Sequence, residues 1–316
     1  MFDKSLEKSK LERAGGSKMS HDEKTVLAMG FFDGLHMGHA ELLQTAKRRA
    51  RELGAKSAVL TFDSHPDLFV RHEHVRLINS AADRVHIIER FFGISHVFFL
   101  HFNEEMMRLS WRSFADDIIK LYNVKHFVVG HDFRFGFRGE GGAALLRDYC
   151  RERDIGCDII PAVKHGGEPI SSTRIRALIA AGEIERANEL LGHPHLLTGR
   201  VRTGYRLGRT LCAPTINMTI PEEVLVSRHG VYAAKAIFDG SEHLAVLNVG
   251  NRPTFGGDDI TVETNIFDFE GELYGRNVCV EFHSFLRPEE KFSGAAELMH
   301  QIELDIQAAR EFFADK

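Results

Sequence analysis

The stretch Met29–Leu43, MGFFDGLHMGHAELL, decides how the N-terminal half of this chain folds. It follows a short apolar run, Thr25–Met29. It leads into a helical pattern over Ala40–Leu53, with Leu42, Leu43, Ala46, Ala50 and Leu53 on one stripe and Gly54 as the stop. A strand thus delivers the chain to a glycine-rich turn, and His36 and His39 stand where the helix begins. Residues three apart share a helix face, so the two imidazoles address one point. Free backbone N–H groups and the helix dipole favour an anion at that point. Gly30, Gly34 and Gly38 permit close backbone approach and unusual dihedrals. The combination reads as a phosphate clamp with two neutral or cationic donors. The plainer readings are a surface histidine beside a cap, or a zinc pair. H-x-x-H with no Cys or carboxylate at ligand spacing is a weak metal signature.

The alternation continues outward from that stretch. Ser57–Phe62, His96–Leu100, His126–Gly130 and Cys157–Pro161 read as strands. Between them Ser80-Ala81-Ala82-Asp83 resembles a capping box opening a helix to Phe92, Ser110 caps a second helix, and Ala143–Arg153 forms a third. Strand–helix alternation of this length predicts a doubly wound, Rossmann-like parallel α/β sheet. Ligands of such a sheet sit outside the C-terminal strand ends. The candidate segments fall there: Gly30–His39, Thr61–Pro66, Gly130–Gly136 and Ile170–Arg176. In the last of these, Ser171 or Ser172 caps a helix. Thr173 and the first-turn N–H groups suit phosphate oxygens, and Arg174 supplies a planar cationic fork. The plain alternative is an ordinary cap followed by two solvated arginines.

Composition sets the outer bounds. The chain of 316 residues suits two domains, and 43% hydrophobic with 27% charged residues is ordinary for a soluble globular protein. A formal charge of −5 gives no general pull toward nucleic acid or anionic membrane. There is no apolar run long enough for a spanning helix, and the polar N-terminus does not resemble a secretory signal. The cysteines Cys150, Cys157, Cys212 and Cys279 form no C-x-x-C pair, which suits a reducing cytoplasm. Residues 1–20 read as a disordered or loosely helical polar tail.

Beyond Ile184–Leu191, Gly192 and Pro194 the texture changes to β-rich runs: Leu197–Arg202, Ala213–Ile220, Gly230–Phe238, Leu244–Val249, Thr261–Phe269 and Val278–Phe285. Strands without intervening helices predict a six-stranded antiparallel barrel, followed by an amphipathic helix over Gly294–Phe313. The expected domains are 21–186 and 187–316. On a strand, residues two apart face the same way. Thr215 and Asn217 therefore present a hydroxyl and an amide oxygen side by side, hard ligands that suit Mg²⁺ carrying nucleotide phosphates. Glu263 shares a face with Asn265 and is placed to take a proton from an alcohol. In isolation, these residues read equally well as a solvated strand face.

The full strings narrow the reading. Gly30-Phe31-Phe32-Asp33-Gly34-Leu35-His36-Met37-Gly38-His39 resembles the H-x-G-H nucleotidyltransferase signature in its FMN adenylyltransferase form. Ile170–Arg176 (I-S-S-T-R-I-R) and Gly130–Gly136 resemble two further motifs of that module. Gly199–Val201, Gly208–Leu211, Pro214–Asn217, Gly230–Tyr232, Asn248–Phe255 and Leu273–Gly275 together resemble a riboflavin kinase domain. In this order they resemble the prokaryotic family of bifunctional flavin-cofactor enzymes, over nearly everything after residue 20.

The resemblance implies ATP as co-substrate, riboflavin, FMN and FAD as the flavins handled, and Mg²⁺. It implies catalytic roles for Glu263, His36, His39 and Arg174. Gly30, Phe31, Asp33, Gly38, Ser171, Ser172, Thr173, Arg176 and Gly208 are expected at ATP and its phosphates. Phe62, His65, Pro66, Asp132 and Phe133 are expected at flavin, and Thr215 and Asn217 at the metal. A monomer or weak homo-oligomer is expected, with no nucleic-acid or membrane partner. One departure bears on the kinase: where the family pattern reads L-G-F-P-T-A-N, this chain has Leu211-Cys212-Ala213-Pro214-Thr215-Ile216-Asn217. If the glycine needs φ > 0 or phosphate contact, Cys212 slows the kinase. The alternatives are a monofunctional FMN adenylyltransferase with a degenerate flavin-binding barrel, and a non-catalytic flavin-binding regulator.

Overall fold

The computed structural model describes residues 12–14, 23–64, 74–202, 215–254 and 257–314. The chain forms two compact units, Met1–Val75 with Arg84–Ser171, and Arg76–Asp83 with Ser172–Lys316.

The first unit is built on a six-stranded sheet. Its strands are β1 (Glu12–Ala14), β2 (Thr25–Met29), β3 (Lys56–Phe62), β4 (Val97–Leu100), β5 (Val124–Gly130) and β6 (Gly156–Ile160), in the spatial order β1-β4-β3-β2-β5-β6. All neighbours except β1–β4 run parallel. Every residue of β2 is buried, as expected of a central parallel strand covered on both faces. From β2 the chain moves to β3 and β4 on one side and returns to β5 and β6 on the other. The switch point is therefore the gap between β2 and β5, and the loops leaving those two strands border it.

The longer helices are α1 (Met37–Leu53), α2 (Ala81–Phe92), α3 (Trp111–Leu121) and α4 (Ala143–Arg151). Leu27, Met29, Leu60, Phe127, Val129, Phe114 and Leu146 meet in one core cluster. The polar tail expected over residues 1–20 is corrected at one place: Glu12–Ala14 pairs antiparallel with β4, Glu12 opposite Phe99 and Ala14 opposite Val97. Backbone pairing at a sheet edge does not need an apolar side-chain pattern, which is why composition did not reveal it.

The second unit opens with α5 (Ser172–Ala181) and α6 (Ile184–Leu191). Its sheet contains β7 (His195–Arg200), β8 (Thr215–Thr219), β9 (Gly230–Phe238), β10 (Ser241–Thr254), β11 (Gly257–Ile266) and β12 (Asn277–Arg287). The order is β7-β12-β9-β10-β11-β8, antiparallel throughout. Register shifts between β9 and β12 bend the sheet, which curls into a half-barrel. Its edge strands meet where Arg202 N donates to Asn217 O at 2.9 Å. α7 (Ala295–Ala314) follows, and Arg287 of β12 holds Asp305 of α7 through two hydrogen bonds of 2.7 and 2.8 Å.

Residues before 187 also belong to this unit, Arg228 N donating to Ile179 O at 3.4 Å, and α6 is stitched to the sheet. Asn188 Nδ2 donates to Phe282 O at 2.9 Å, and Asn188 Oδ1 accepts from His195 N at 2.7 Å. The segment Arg76–Asp83 joins it too: Leu77 N donates to Glu223 O and Leu225 N to Leu77 O, both at 2.7 Å.

Candidate active sites

In the first unit the chain leaves β2 with Gly30 N donating to Leu60 O at 3.2 Å. Two bulky residues of the following turn, Phe32 (φ 57°) and Leu35 (φ 45°), adopt the left-handed region although neither is glycine, and both are fully buried. Each such residue stores about 1–3 kcal/mol, held by the surrounding packing. Strain of this kind clusters where a loop has a task beyond connection.

His36 then caps α1 with extended backbone (φ −61°, ψ 171°), and its Nδ1 accepts the His39 N–H at 3.3 Å. The helix therefore starts at Met37 rather than near Ala40, and both imidazoles belong to its first turn. Their rings stack with centroids 3.7 Å apart and planes 12° apart. With Nδ1 accepting, a neutral His36 carries its ring proton on Nε2. Burial, reinforced by the positive charge His36 can carry, lowers the His39 pKa well below its usual 6.5. His39 is thus a neutral imidazole at physiological pH, and its buried Nδ1 has no protein partner among the described residues.

Of the three glycines only Gly34 (φ 80°) needs a left-handed backbone. Gly38 is required sterically: a Cβ there would stand 3.0 Å from His36 Cε1. At Gly30 a Cβ would come within 3.2 Å of the Phe32 ring. Asp33 is buried inside the turn.

Phe31 is held by its carbonyl, which accepts from Thr61 Oγ1 at 2.8 Å and from Arg84 Nη1 at 2.9 Å. Arg84 carries no sequence motif and went unread. Its signal is a charge at a helix position where Ile87 and Ile88, three and four residues on, are fully buried.

Phe62 at the end of β3 is half-buried, edge-on to Phe102 at 5.6 Å. Phe133 stacks on Phe135 at 5.4 Å, and both pack on the core, so they anchor the loop after β5. Asp132 beside them is exposed. His65 and Pro66 lie outside the described residues, as does Gly208. Ser171 precedes α5 and Ser172 opens it, with Thr173 exposed and Arg174 half-buried in its first turn. Arg176 Nη1 reaches Thr173 Oγ1 at 3.4 Å.

In the second unit the strand register assembles a site from three strands. Glu263 on β11 stands opposite Asn217 on β8 and opposite Asn248 on β10. Asn265 stands opposite Thr215 and Val246. Directly opposed residues share a sheet face, so Thr215, Asn217, Asn248, Glu263 and Asn265 are displayed together. A cavity of about 410 Å³ opens over Thr215, Glu263 and Asn265, walled by Leu298 and Ile302 of α7 and by the Arg287–Asp305 pair. Of the residues expected here, Thr215 and Glu263 line the cavity and Asn217 does not, while the helix wall carries no sequence motif. Helical periodicity gives the buried face of α7 without saying what it faces.

On the strand face beside this cavity a hard cation fits a specific observation. Asn217 is buried, and its Oδ1 has no protein partner among the described residues, two positions from the Thr215 hydroxyl. Cys212 lies outside the described residues.

Comparisons with known proteins follow the same division. The FAD synthetase family model matches residues 18–174 and the riboflavin kinase model residues 191–313. The proteins named bifunctional riboflavin kinase/FMN adenylyltransferase from Listeria monocytogenes and Bacillus subtilis are 36% and 37% identical, over 93% and 92% of this chain and 94% and 93% of theirs. The Escherichia coli protein of that name is 34% identical over 92% of this chain and 93% of its own. A crystal structure described as a macrolide-efflux protein from Streptococcus pneumoniae superposes with a TM-score of 0.77 at 31% identity, covering 94% of this chain and 95% of that one. Among the described residues here, no helix is long and apolar enough to cross a membrane. Two family models matched in tandem, and relatives aligned over more than nine-tenths of the sequence, place this chain in the bifunctional riboflavin kinase/FMN adenylyltransferase family.

Proposed function

We propose that the chain converts riboflavin to FMN in its second unit and FMN to FAD in its first, consuming one ATP at each step. In the kinase step, Glu263 accepts the proton of the riboflavin 5′-hydroxyl. That oxygen bonds to the γ-phosphorus of ATP, the bond to the β-bridging oxygen breaks, and ADP leaves. Such transfers depend on positioning and charge stabilisation. The Thr215 hydroxyl and Asn217 amide oxygen would hold Mg²⁺, which when bound offsets charge on the ATP phosphates.

In the second step no base is required, because the FMN phosphate is already an anion. Its oxygen bonds to the α-phosphorus of ATP, the α–β bridge breaks, and pyrophosphate leaves with the electron pair. His36 and His39 donate hydrogen bonds to the phosphates, and a neutral His39 does so without adding charge. On the family resemblance we assign Thr173 to phosphate oxygens and Arg174 as a fixed positive charge. Gly30, Phe31, Asp33 and Gly38 shape the turn, and Ser171, Ser172 and Arg176 the opening of α5. Phe62, His65, Pro66, Asp132 and Phe133 form the flavin side.

The observation that carries the reading is the stacked His36–His39 pair capping α1 beside the switch point of a parallel sheet. We place the protein in the cytoplasm as a monomer or weak homo-oligomer acting on small molecules; its charge of −5 gives no general pull toward nucleic acid or anionic membrane.

Purified protein with riboflavin, ATP and Mg²⁺ should yield FMN and then FAD, resolved by chromatography. Glu263→Ala should abolish FMN formation yet convert supplied FMN to FAD, and His39→Ala should do the reverse. Equal loss of both activities in either folded variant refutes the two-site assignment.

A further inference from the structure

Arg84 is fully buried on α2, and it reaches into the turn that carries the two histidines. Its Nη1 donates to Phe31 O at 2.9 Å and to Thr61 Oγ1 at 2.8 Å, while Thr61 Oγ1 itself donates to Phe31 O at 2.8 Å. Three groups therefore close a ring around one carbonyl. The guanidinium also lies 4.8 Å from the centroid of the Phe31 ring and 5.2 Å from that of Phe99. Aromatic faces and a carbonyl together make a place for a planar cation that an ammonium does not fill equally well.

We infer that Arg84 is a positioning residue for adenylyl transfer, fixing the peptide between Phe31 and Phe32 and so the turn that presents His36 and His39. A trans peptide is planar, with its carbonyl and the next N–H pointing opposite ways, so holding the Phe31 oxygen also sets the Phe32 N–H. The restraint sits where it is needed. Phe32 (φ 57°) is the first of the two strained residues, and relaxing its φ rotates that same peptide. A guanidinium is also a costly occupant of this position. Ile87 and Ile88 show that the helix face accepts aliphatic side chains, and a buried charge is desolvated where a leucine would not be. The inference rests on the first unit being the adenylyltransferase.

The test uses the full chain with FMN and ATP as substrates, and riboflavin phosphorylation in the same preparation as an internal control. Arg84→Met should lower kcat/KM for ATP in FAD formation by about 10- to 100-fold, with a raised KM, because misplacing a phosphate loop by a fraction of an ångström is felt at that scale. Kinase activity should stay within about twofold. Arg84→Lys should be rescued only in part, since it keeps charge but loses the fork. Thr61→Val, nearly isosteric, should act in the same direction and more weakly. Combined with Arg84→Met it should add little, because both act on one carbonyl.

Should Arg84→Met fail to fold, Thr61→Val and Arg84→Lys decide the matter. FAD formation within twofold of wild type in those folded variants overturns the inference. So does a loss confined to kcat that follows the unfolded fraction with KM for ATP unchanged, or full additivity in the double variant. Absence of FAD formation by the wild-type chain would instead defeat the underlying adenylyltransferase reading.

Discussion

At the scale of single residues, the H-x-G-H turn shows how much chemistry a few atoms decide. Gly38 is there because the His36 ring folds over it, and a Cβ would lie 3.0 and 3.1 Å from His36 Cε1 and Nδ1. In Gly38→Ala the His36 ring has to give by a few tenths of an ångström, which disturbs its stack on His39. The substitution should lower FMN-to-FAD turnover about tenfold or more, with riboflavin phosphorylation unchanged. Separate assays of the two half-reactions check it, and equal turnover would mean that the stack is dispensable.

Cys212 poses the converse question for the kinase. If the family's glycine serves φ > 0 or phosphate approach, Cys212→Gly should raise the kinase rate severalfold. An unchanged rate would show that the loop there tolerates a Cβ. Gly38 was legible because its motif is contiguous in sequence. Arg84 was not, since its partners Phe31, Thr61 and Phe99 come from three separated segments. Only the strand register shows that Asn248 stands opposite Glu263 and Asn265 opposite Thr215.

At the scale of elements, local signals held and pairing signals did not. The capping box at α2 is reciprocal: Asp83 N donates to Ser80 Oγ at 3.1 Å, and Ser80 N donates to Asp83 Oδ2 at 2.8 Å. Gly54 closes α1 with a left-handed φ of 58°, and Ser110 caps α3 by accepting from Ser113 N at 3.1 Å. In the second unit β9 keeps the expected bounds Gly230–Phe238, whereas β10 and β12 run past their apolar patterns. β10 extends over Ser241–Thr254 where Leu244–Val249 was expected, because antiparallel pairing with β11 continues past Gly250 and Pro253.

The C-terminal helix is fastened by Arg287 and Asp305, both largely buried, with Gln301 Nε2 also donating to Asp305 at 2.9 Å. Asp305 raises the Arg287 pKa, and without it the guanidinium still stays protonated because an arginine's ordinary pKa is so high. Asp305→Ala should therefore cost about 3 kcal/mol, the penalty for stranding a buried charge. Because the pair also walls the 410 Å³ cavity, it should raise KM for riboflavin as well. Urea unfolding and kinase kinetics check the two effects. Replacing both residues, Arg287→Met with Asp305→Leu, should recover much of the stability.

At the scale of the whole molecule, three imidazoles are buried in conditions that refuse a proton. Burial lowers the pKa of His39 and of His126 in the first unit, and brings that of His195 in the second down to about 3 from 6.5. Both ring nitrogens of His195 are buried without a partner among the described residues. As pH falls through 6.5, the unfolded chain takes up protons at these sites before the folded chain does. Stability should therefore be full above pH 7 and decline toward about pH 3, where folded His195 also titrates. Asp83 works in the opposite sense: burial raises its pKa, so acidification through its window favours the folded state and makes the decline shallower.

For His195 alone, the loss between pH 7.5 and 5.5 should come to about 1.4 kcal/mol, one proton taken up over roughly one unit beyond its unfolded pKa. Denaturant melts at the two pH values measure it. His195→Gln lowers stability at both, yet it should shrink the difference between them for the transition that reports on the second unit. If the pH dependence of that transition is the same with and without the imidazole, His195 is not buried as a neutral group.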